Sequence, residues 1–398
     1  MATTMGSLAA ARMPLAAALD LGPNVWDRVL KRSGSVNPFL TWDWHRACAD
    51  ALAAEELNAC HAMVVRDPRE DVAVLFPFRV QRDRSWGIAA TELGWAFGDL
   101  GRPDHLDLLA SPEADLDILV GALEALPWAA IRLGNLTEGA NQVERLCAAC
   151  ERRGWMVRRR TLWRCAYLDL PQSWDAYLSS LSPHGRRALR RKERKLYREH
   201  QVALTDYGGE RLDEGLRHLE LLHARRWGGA GVFRDPVMPR LHRRFAASLD
   251  QRGLLWLVTL DLDGTPAAAW YGFSLGDTVY HYQSGRDPRW ALDRVGTVLM
   301  GLMIRRAIER GYDRLDFLRG EEAYKGEWTR TARRSYEVAV FRAGWRGAAL
   351  RGLDWIELPL RGMGLRRGFD RVHRWLAQPW GSPGDVREAP GEHGSCQD

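Results

Sequence analysis

Residues 287–328 hold the densest run of side chains able to move protons or hold anions. Arg294-Val295-Gly296-Thr297 opens an amphipathic helical pattern, and a short apolar strand pattern follows it. That strand runs into Asp316-Phe317-Leu318-Arg319-Gly320-Glu321-Glu322-Ala323-Tyr324-Lys325. A helix N-terminus carries unpaired amides and partial positive charge, so it favours anions, and a glycine there lets the backbone approach them closely. The order predicts a group-transfer site for a phosphate-bearing donor, with a pyrophosphate on the amides of Arg294, Val295, Gly296 and Thr297. Glu321 or Glu322 fits a base that takes a proton from an attacking amine or hydroxyl. Tyr324 fits an acid that protonates a departing thiolate, and Lys325 an anchor for phosphate or carboxylate. Asp316 interrupts the apolar strand and is a further catalytic candidate. It sits either at the strand end or buried with a partner such as Arg319. An ion-pair network that only fixes a loop would use the same residue types.

Tyr280-His281-Tyr282-Gln283 lies just upstream. Strand alternation predicts His281 and Gln283 on one face, as substrate-binding candidates, and the tyrosines on the other. No Ser-His-Asp set or P-loop spacing occurs, which argues against a hydrolase or ATPase. Cys147 and Cys150 form a lone C-x-x-C inside a helical pattern, so no metal site is expected.

The elements that must position these groups follow from periodicity. A helix is expected over 38–53, strands over 61–66 and 72–80, and a helix over 113–126. A strand over 128–133, a helix over 141–153 and a strand over 155–170 complete the first half. The second half repeats the order: helices over 211–227 and 235–252, then strands over 254–262, 266–274 and 278–283. A helix over 297–310 and strands over 315–318 and 335–342 close it. Two α/β (α+β) domains are expected, each a mixed, mostly antiparallel sheet flanked by helices. The expected boundaries are 23–172 and 201–349, with a basic linker helix over 173–200. A disordered N-terminus (1–22), a helical extension (350–380) and a disordered tail (381–398) are expected outside them. The chain has 398 residues, long for one core, which supports two domains. Its net charge of +6 favours an anionic ligand. No secretory signal is evident and no apolar window approaches the length of a membrane span, so a cytoplasmic protein without stable membrane insertion is expected.

Several ordered patterns carry a resemblance: T-W-D-W near the start, and S-P-H-G-R-R-A-L-R-R-K-E-R-K-L at the linker. R-R-W-G-G-A-G-V-F-R-D-P, Y-H-Y-Q-S-G and F-L-R-G-E-E-A-Y-K-G-E-W follow. Over roughly residues 38–342 the chain resembles acetyltransferases of the GNAT superfamily associated with cellulose or exopolysaccharide biosynthesis. It is also similar to the Fem-type aminoacyl transferases. The resemblance implies tandem GNAT-like domains, the first degenerate and the second an acyltransferase. The implied co-substrate is acetyl-CoA or another acyl-CoA, and the implied acceptor a small molecule or glycan such as an amino sugar. Trp227 and Trp328, within these patterns, join Lys325, His281 and Gln283 as substrate-binding candidates. The loop departs from the GNAT pyrophosphate pattern at Asp293 and Val298 and keeps its central Gly296. A tRNA-dependent aminoacyl transferase and a non-catalytic scaffold of polysaccharide biosynthesis are the alternatives.

Overall fold

Runs of alternating apolar residues form the strands, and the helices between them bury one face each on the sheet. In the computed structural model, the structure describes residues 10–352 apart from 70, 86–87, 229–230, 321 and 345–346. The predicted extension and tail beyond residue 352 lie outside the described residues, as does the candidate base Glu321.

The first half runs β1 (Ala10–Pro14), α1 (Leu15–Leu19), α2 (Pro23–Ser33), α3 (Trp42–Ala51), α4 (Ala54–Leu57), β2 (Cys60–Arg66) and β3 (Val72–Ser85). It continues with β4 (Ile88–Trp95), β5 (Leu109–Ala110), α5 (Leu116–Glu124), β6 (Ala130–Thr137), α6 (Asn141–Arg152) and β7 (Met156–Asp169). Two helices follow, α7 (Trp174–Ser180) and α8 (Pro183–Glu199), then β8 (Val202–Asp206), α9 (Leu212–Trp227) and α10 (Val237–Gln251). The second half ends with β9 (Leu255–Leu262), β10 (Thr265–Leu275), β11 (Thr278–Arg286), α11 (Val295–Glu309), β12 (Arg314–Arg319) and β13 (Ala332–Phe341). Residues 10–22, expected to be disordered, instead form β1 and α1. Ala10–Pro14 pairs with β2, and its Ala-Ala-Arg-Met-Pro sequence gives no apolar alternation to read.

The strands join in the order β1-β2-β3-β4-β6-β13-β7-β12-β11-β10-β9-β8. Two antiparallel runs, β2-β3-β4 and β9-β10-β11, each end on a parallel neighbour, β6 and β12. The last strands are exchanged. β13, from the end of the chain, lies between β6 and β7, while β7 pairs with β12. The sheet is therefore continuous through residues 10–341.

Two buried acids, Asp104 and Asp316, from opposite halves of the sequence fix this junction. Asp316 on β12 has no exposed surface and accepts from the Leu318 amide (2.8 Å). His105 Nε2 lies 3.2 Å from its Oδ2, which Arg333 on β13 also bonds. Asp104 is likewise buried and takes Arg319, at 2.8 Å from both its amide and Nε. Arg319 is thus the partner of Asp104, not of Asp316 as the sequence suggested. Sequence reading had no access to residues 104 and 105 as neighbours of β12.

Burial alone would raise the Asp316 carboxyl, but His105, Arg333 and the Leu318 amide outweigh it and hold it down at about 2. A depressed acid contributes stability that is complete above its unfolded value, near 4, and is lost as pH falls through the folded one. Asp316→Asn should cost about 3 kcal/mol in urea melts at pH 7, because it leaves Arg333 uncompensated. Between pH 4 and 2 the wild type should lose about 2 kcal/mol that the variant does not.

Candidate active site

The parallel pair β11–β12 is short: Thr278, Val279 and Tyr280 lie opposite Arg314, Leu315 and Asp316, and no further. Two local distortions part the strands beyond it. On β11 the register with β10 slips so that Tyr271 meets Gln283 and Gly272 meets His281, leaving Tyr282 as the extra residue of a bulge. On β12, Leu318 adopts φ +55° and Gly320 φ +117°. Such a conformation at a branched, buried leucine costs about 1–3 kcal/mol and persists only where its surroundings impose it. Here the Asp316 and Asp104 bonds hold the residues on either side.

The bulge corrects the expected facing of this strand. His281 points toward α11, stacked on Trp270 with ring centroids 4.0 Å apart. Gln283 shares the opposite face with Tyr280 and Tyr282, paired across from Tyr271 and bonded to His223 of α9. One added residue reverses the period-two rule that put His281 and Gln283 together.

Two cavities open where the strands part. One, of about 200 Å³, runs from Arg286, Arg294, Gly296 and Thr297 at the start of α11 to Trp270 and Trp328. The other, of about 670 Å³, is bounded by Trp163, Trp227, Gln283, Arg319, Glu322 and Lys325. Arg226, His281, Ser284 and Tyr324 line both and form the wall between them. Close packing sets this wall. A side chain at Gly285 would meet the Leu222 and His223 backbone of α9 at about 2.4 Å. The glycine therefore lets α9 deliver Arg226, whose Nη1 donates to Ser284 Oγ at 2.7 Å.

The smaller cavity begins at the N-terminus of α11. Arg294 has φ +56°, and its carbonyl takes the Thr297 and Val298 amides. The Val295 and Gly296 amides are left without a partner among the described residues. Of the four predicted amides, these two remain available to an anion. Asp293 is paired with Lys195 of α8 at 2.8 Å, which offsets its charge beside that terminus.

Titratable groups at the wall are tuned by burial. His281 is held well below the usual histidine range by burial, with the Lys325 and Arg226 charges adding to it. Its ring is neutral, and neither ring nitrogen has a hydrogen-bond partner among the described residues. Tyr324 is raised by burial and by Glu322, against the opposing effect of Arg226, so it keeps its phenolic proton. His223 is lowered to about 4 by burial and Arg226.

Other predicted residues take different places. Asp316 lines neither cavity and acts through the β12 backbone. Lys325 is buried. Its ammonium reaches the Leu318, Arg319 and Gly320 carbonyls at 3.3, 2.7 and 3.2 Å and Glu322 at 2.9 Å. Its three protons are spent on the strand end, so it holds the loop rather than presenting a free charge. Trp227 stands at the rim under Arg226, 4.8 Å from the guanidinium, and Trp328 is packed under α11. Arg226 and Ser284 were missed by sequence reading. Lys325→Ala should cost about 2–3 kcal/mol by leaving buried carbonyls unpaired, and should release Glu322. Urea melts, and a gain in protease cleavage within 318–325, would check it.

The first half has the equivalent opening, and it is filled. β4 and β6 pair only over Glu92–Gly94 with Ala130–Arg132. Beyond that, Trp95 Nε1 donates to the Gly134 carbonyl and Asn135 Nδ2 to that of Gly98, both at 2.9 Å. The Leu106 amide closes on the Asn135 carbonyl at 2.8 Å.

Residues 183–326 match the family model described as acetyltransferase (GNAT) domain. No curated protein matches the chain. Among solved structures, FemX is similar with TM-score 0.53 and 11% identity, over 83% of this chain and 96% of that one. The C-terminal domain of a putative lysylphosphatidylglycerol synthetase from Agrobacterium fabrum is similar with TM-score 0.51 and 12% identity, over 84% of this chain and 95% of that one. A conserved protein of unknown function from Bacteroides thetaiotaomicron gives TM-score 0.53 and 13% identity, over 81% and 98%. At such identities the likeness is one of fold. The residues that match the acetyltransferase (GNAT) domain model, 183–326, span the open slot and not the filled one.

Proposed function

We propose that the chain transfers an acyl group from a phosphopantetheine thioester, acetyl-CoA being the simplest, to an amine or hydroxyl acceptor. One observation carries this reading: two cavities of different size meet at a single wall of Arg226, His281, Ser284 and Tyr324. The smaller starts at open helix amides and two arginines, which suit a phosphate. The larger has room for an acceptor and offers the Trp163 and Trp227 rings, flat surfaces that stack on sugars. An amino sugar or polysaccharide precursor is therefore the acceptor class to try first.

The acceptor nitrogen or oxygen attacks the thioester carbonyl carbon from the larger cavity. The C–S bond breaks as the new C–N or C–O bond forms. The neutral His281 ring donates a hydrogen bond to the developing oxyanion; a charged ring beside Lys325 and Arg226 would be costly. Tyr324 gives its proton to the departing sulfur. The acceptor's proton passes to Glu322, the carboxylate on the larger cavity's wall among the described residues, and from there restores the Tyr324 phenol. Holding both substrates across one wall removes most of the entropic barrier.

The test is free-thiol release from acetyl-CoA over a panel of amino sugars, polyamines and polysaccharide fragments, with aminoacyl-tRNA as a separate donor. Acetyl-CoA should turn over with at least one acceptor. Turnover with aminoacyl-tRNA alone would favour a tRNA-dependent reaction. Absence of turnover, together with no thermal stabilisation by acetyl-CoA or desulfo-CoA, would favour a scaffold. Tyr324→Phe should lower kcat roughly 100-fold with little change in donor KM. Unchanged kcat would remove Tyr324 from the reaction.

A further inference from the structure

The formal excess of positive charge is concentrated on one helix. The 17 residues of α8 carry eight basic and two acidic side chains, a net +6, equal to that of the whole chain. One face of α8 is a narrow apolar seam: Leu189 and Leu196 are buried, and Leu189 packs where α11 has Gly301. Lys192 and Lys195 turn toward the smaller cavity. Lys195 pairs with Asp293, beside the open amides, and Lys192 lies 3.8 Å from Glu327, which lines that cavity. On the far side Arg187, Arg191, Arg194 and Arg198 form one exposed row. The first three have no ion-pair partner among the described residues. The row spans twelve residues, eleven steps of 1.5 Å or about 16 Å.

The smaller cavity has two features of a slot for an arm rather than for a whole coenzyme. Its volume of about 200 Å³ is below the roughly 300–1,000 Å³ usual for a complete small-molecule site. Its deep end is lined by two buried rings with unpartnered nitrogens, Trp270 at 1% exposure and His281 at 4%. Such groups are costly unless a ligand with amides or carbonyls satisfies them. A pantetheine chain carries both. Whatever bears that arm must then rest outside the slot mouth, alongside α8.

Resting on the thioester reading above, we infer that α8 is a docking surface for an acidic acyl carrier protein whose phosphopantetheine arm enters the slot. A 16 Å row of guanidiniums matches the length of an acidic helix face, whereas a single nucleotide would engage only one end of it. Four exposed guanidiniums in a row suit a protein surface held by charge. The transfer needs no other co-reactant. The carrier's thioester gives up its acyl group and leaves as the free thiol, protonated as described for coenzyme A.

The test uses the full chain and fluorescently labelled acyl carrier protein in holo and apo forms, read by anisotropy at low and high salt. Binding of the holo form should be tighter than that of the apo form and should weaken steeply with salt. The triple variant Arg187→Glu, Arg191→Glu, Arg194→Glu changes only exposed side chains. It should weaken holo-carrier binding at least tenfold while leaving thermal stabilisation by desulfo-CoA unchanged. Equal binding by wild type and variant would overturn the inference. So would desulfo-CoA stabilisation without carrier binding, which leaves the thioester reading standing. Binding of neither ligand would overturn both. Binding of bulk tRNA in place of carrier protein, lost in the same variant, would assign the row to RNA and overturn the carrier.

Discussion

The open slot depends on a buried carboxylate. Asp316 sits without solvent at the point where β12 leaves its parallel neighbour, and three donors from three parts of the chain hold it ionised. A buried charge is tolerated only with such a full set of partners. Its bond to the Leu318 amide turns the backbone into a conformation that a leucine would otherwise avoid. Asp104 clamps Arg319 on the far side of that turn, and Lys325 gathers the carbonyls that the turn exposes. The cleft is thus the consequence of a strained strand end whose polar groups are satisfied from both sides.

That clamp gives the first half a purpose although its own opening is closed. Asp104 and His105 come from the same loop whose Leu106 plugs the gap between β4 and β6. The segment that fills one slot therefore braces the other. The exchange of β7 and β13 strengthens this dependence, because each parallel pair is completed by a strand from the opposite half. Neither half buries its full sheet edge alone, and an exposed edge is a liability.

Much of the second half was legible because its signals are local. The helix and strand patterns over 235–310 match α10, β9, β10, β11 and α11 within a few residues. Asp263-Gly264 is a tight turn with both residues at positive φ, as the dipeptide predicts. The strands β4 and β8 were missed. Ile88–Trp95 mixes small, acidic and apolar residues, and its place is set by pairing with β3 rather than by its own pattern. The exchanged strands were not legible at all, since both read as ordinary strands and only their distant partners distinguish them. At the site, His281, Gln283, Glu322 and Tyr324 come together around the two cavities, but their facing was not legible. Period-two alternation holds until one bulge, and Tyr282 is that bulge.

Charge in this chain divides into two kinds, and the division bears on how a donor could be recognised. Cations near the reaction wall are spent internally: Arg319 on Asp104, Lys325 on the β12 carbonyls, and Arg226 on Ser284 and the Trp227 ring. They shape the pocket, and Lys325 and Arg226 add to the burial that keeps His281 neutral. The exposed arginines of α8 stand beyond the slot mouth, where solvent screens them over about 10 Å at 0.1 M salt. A screened row is a poor holder of one small ligand and a good guide for a large, oppositely charged one, because steering sums over many weak contacts. On the carrier reading proposed above, recognition and chemistry are separated along one donor: charge outside sorts the carrier, and buried groups inside handle the acyl group.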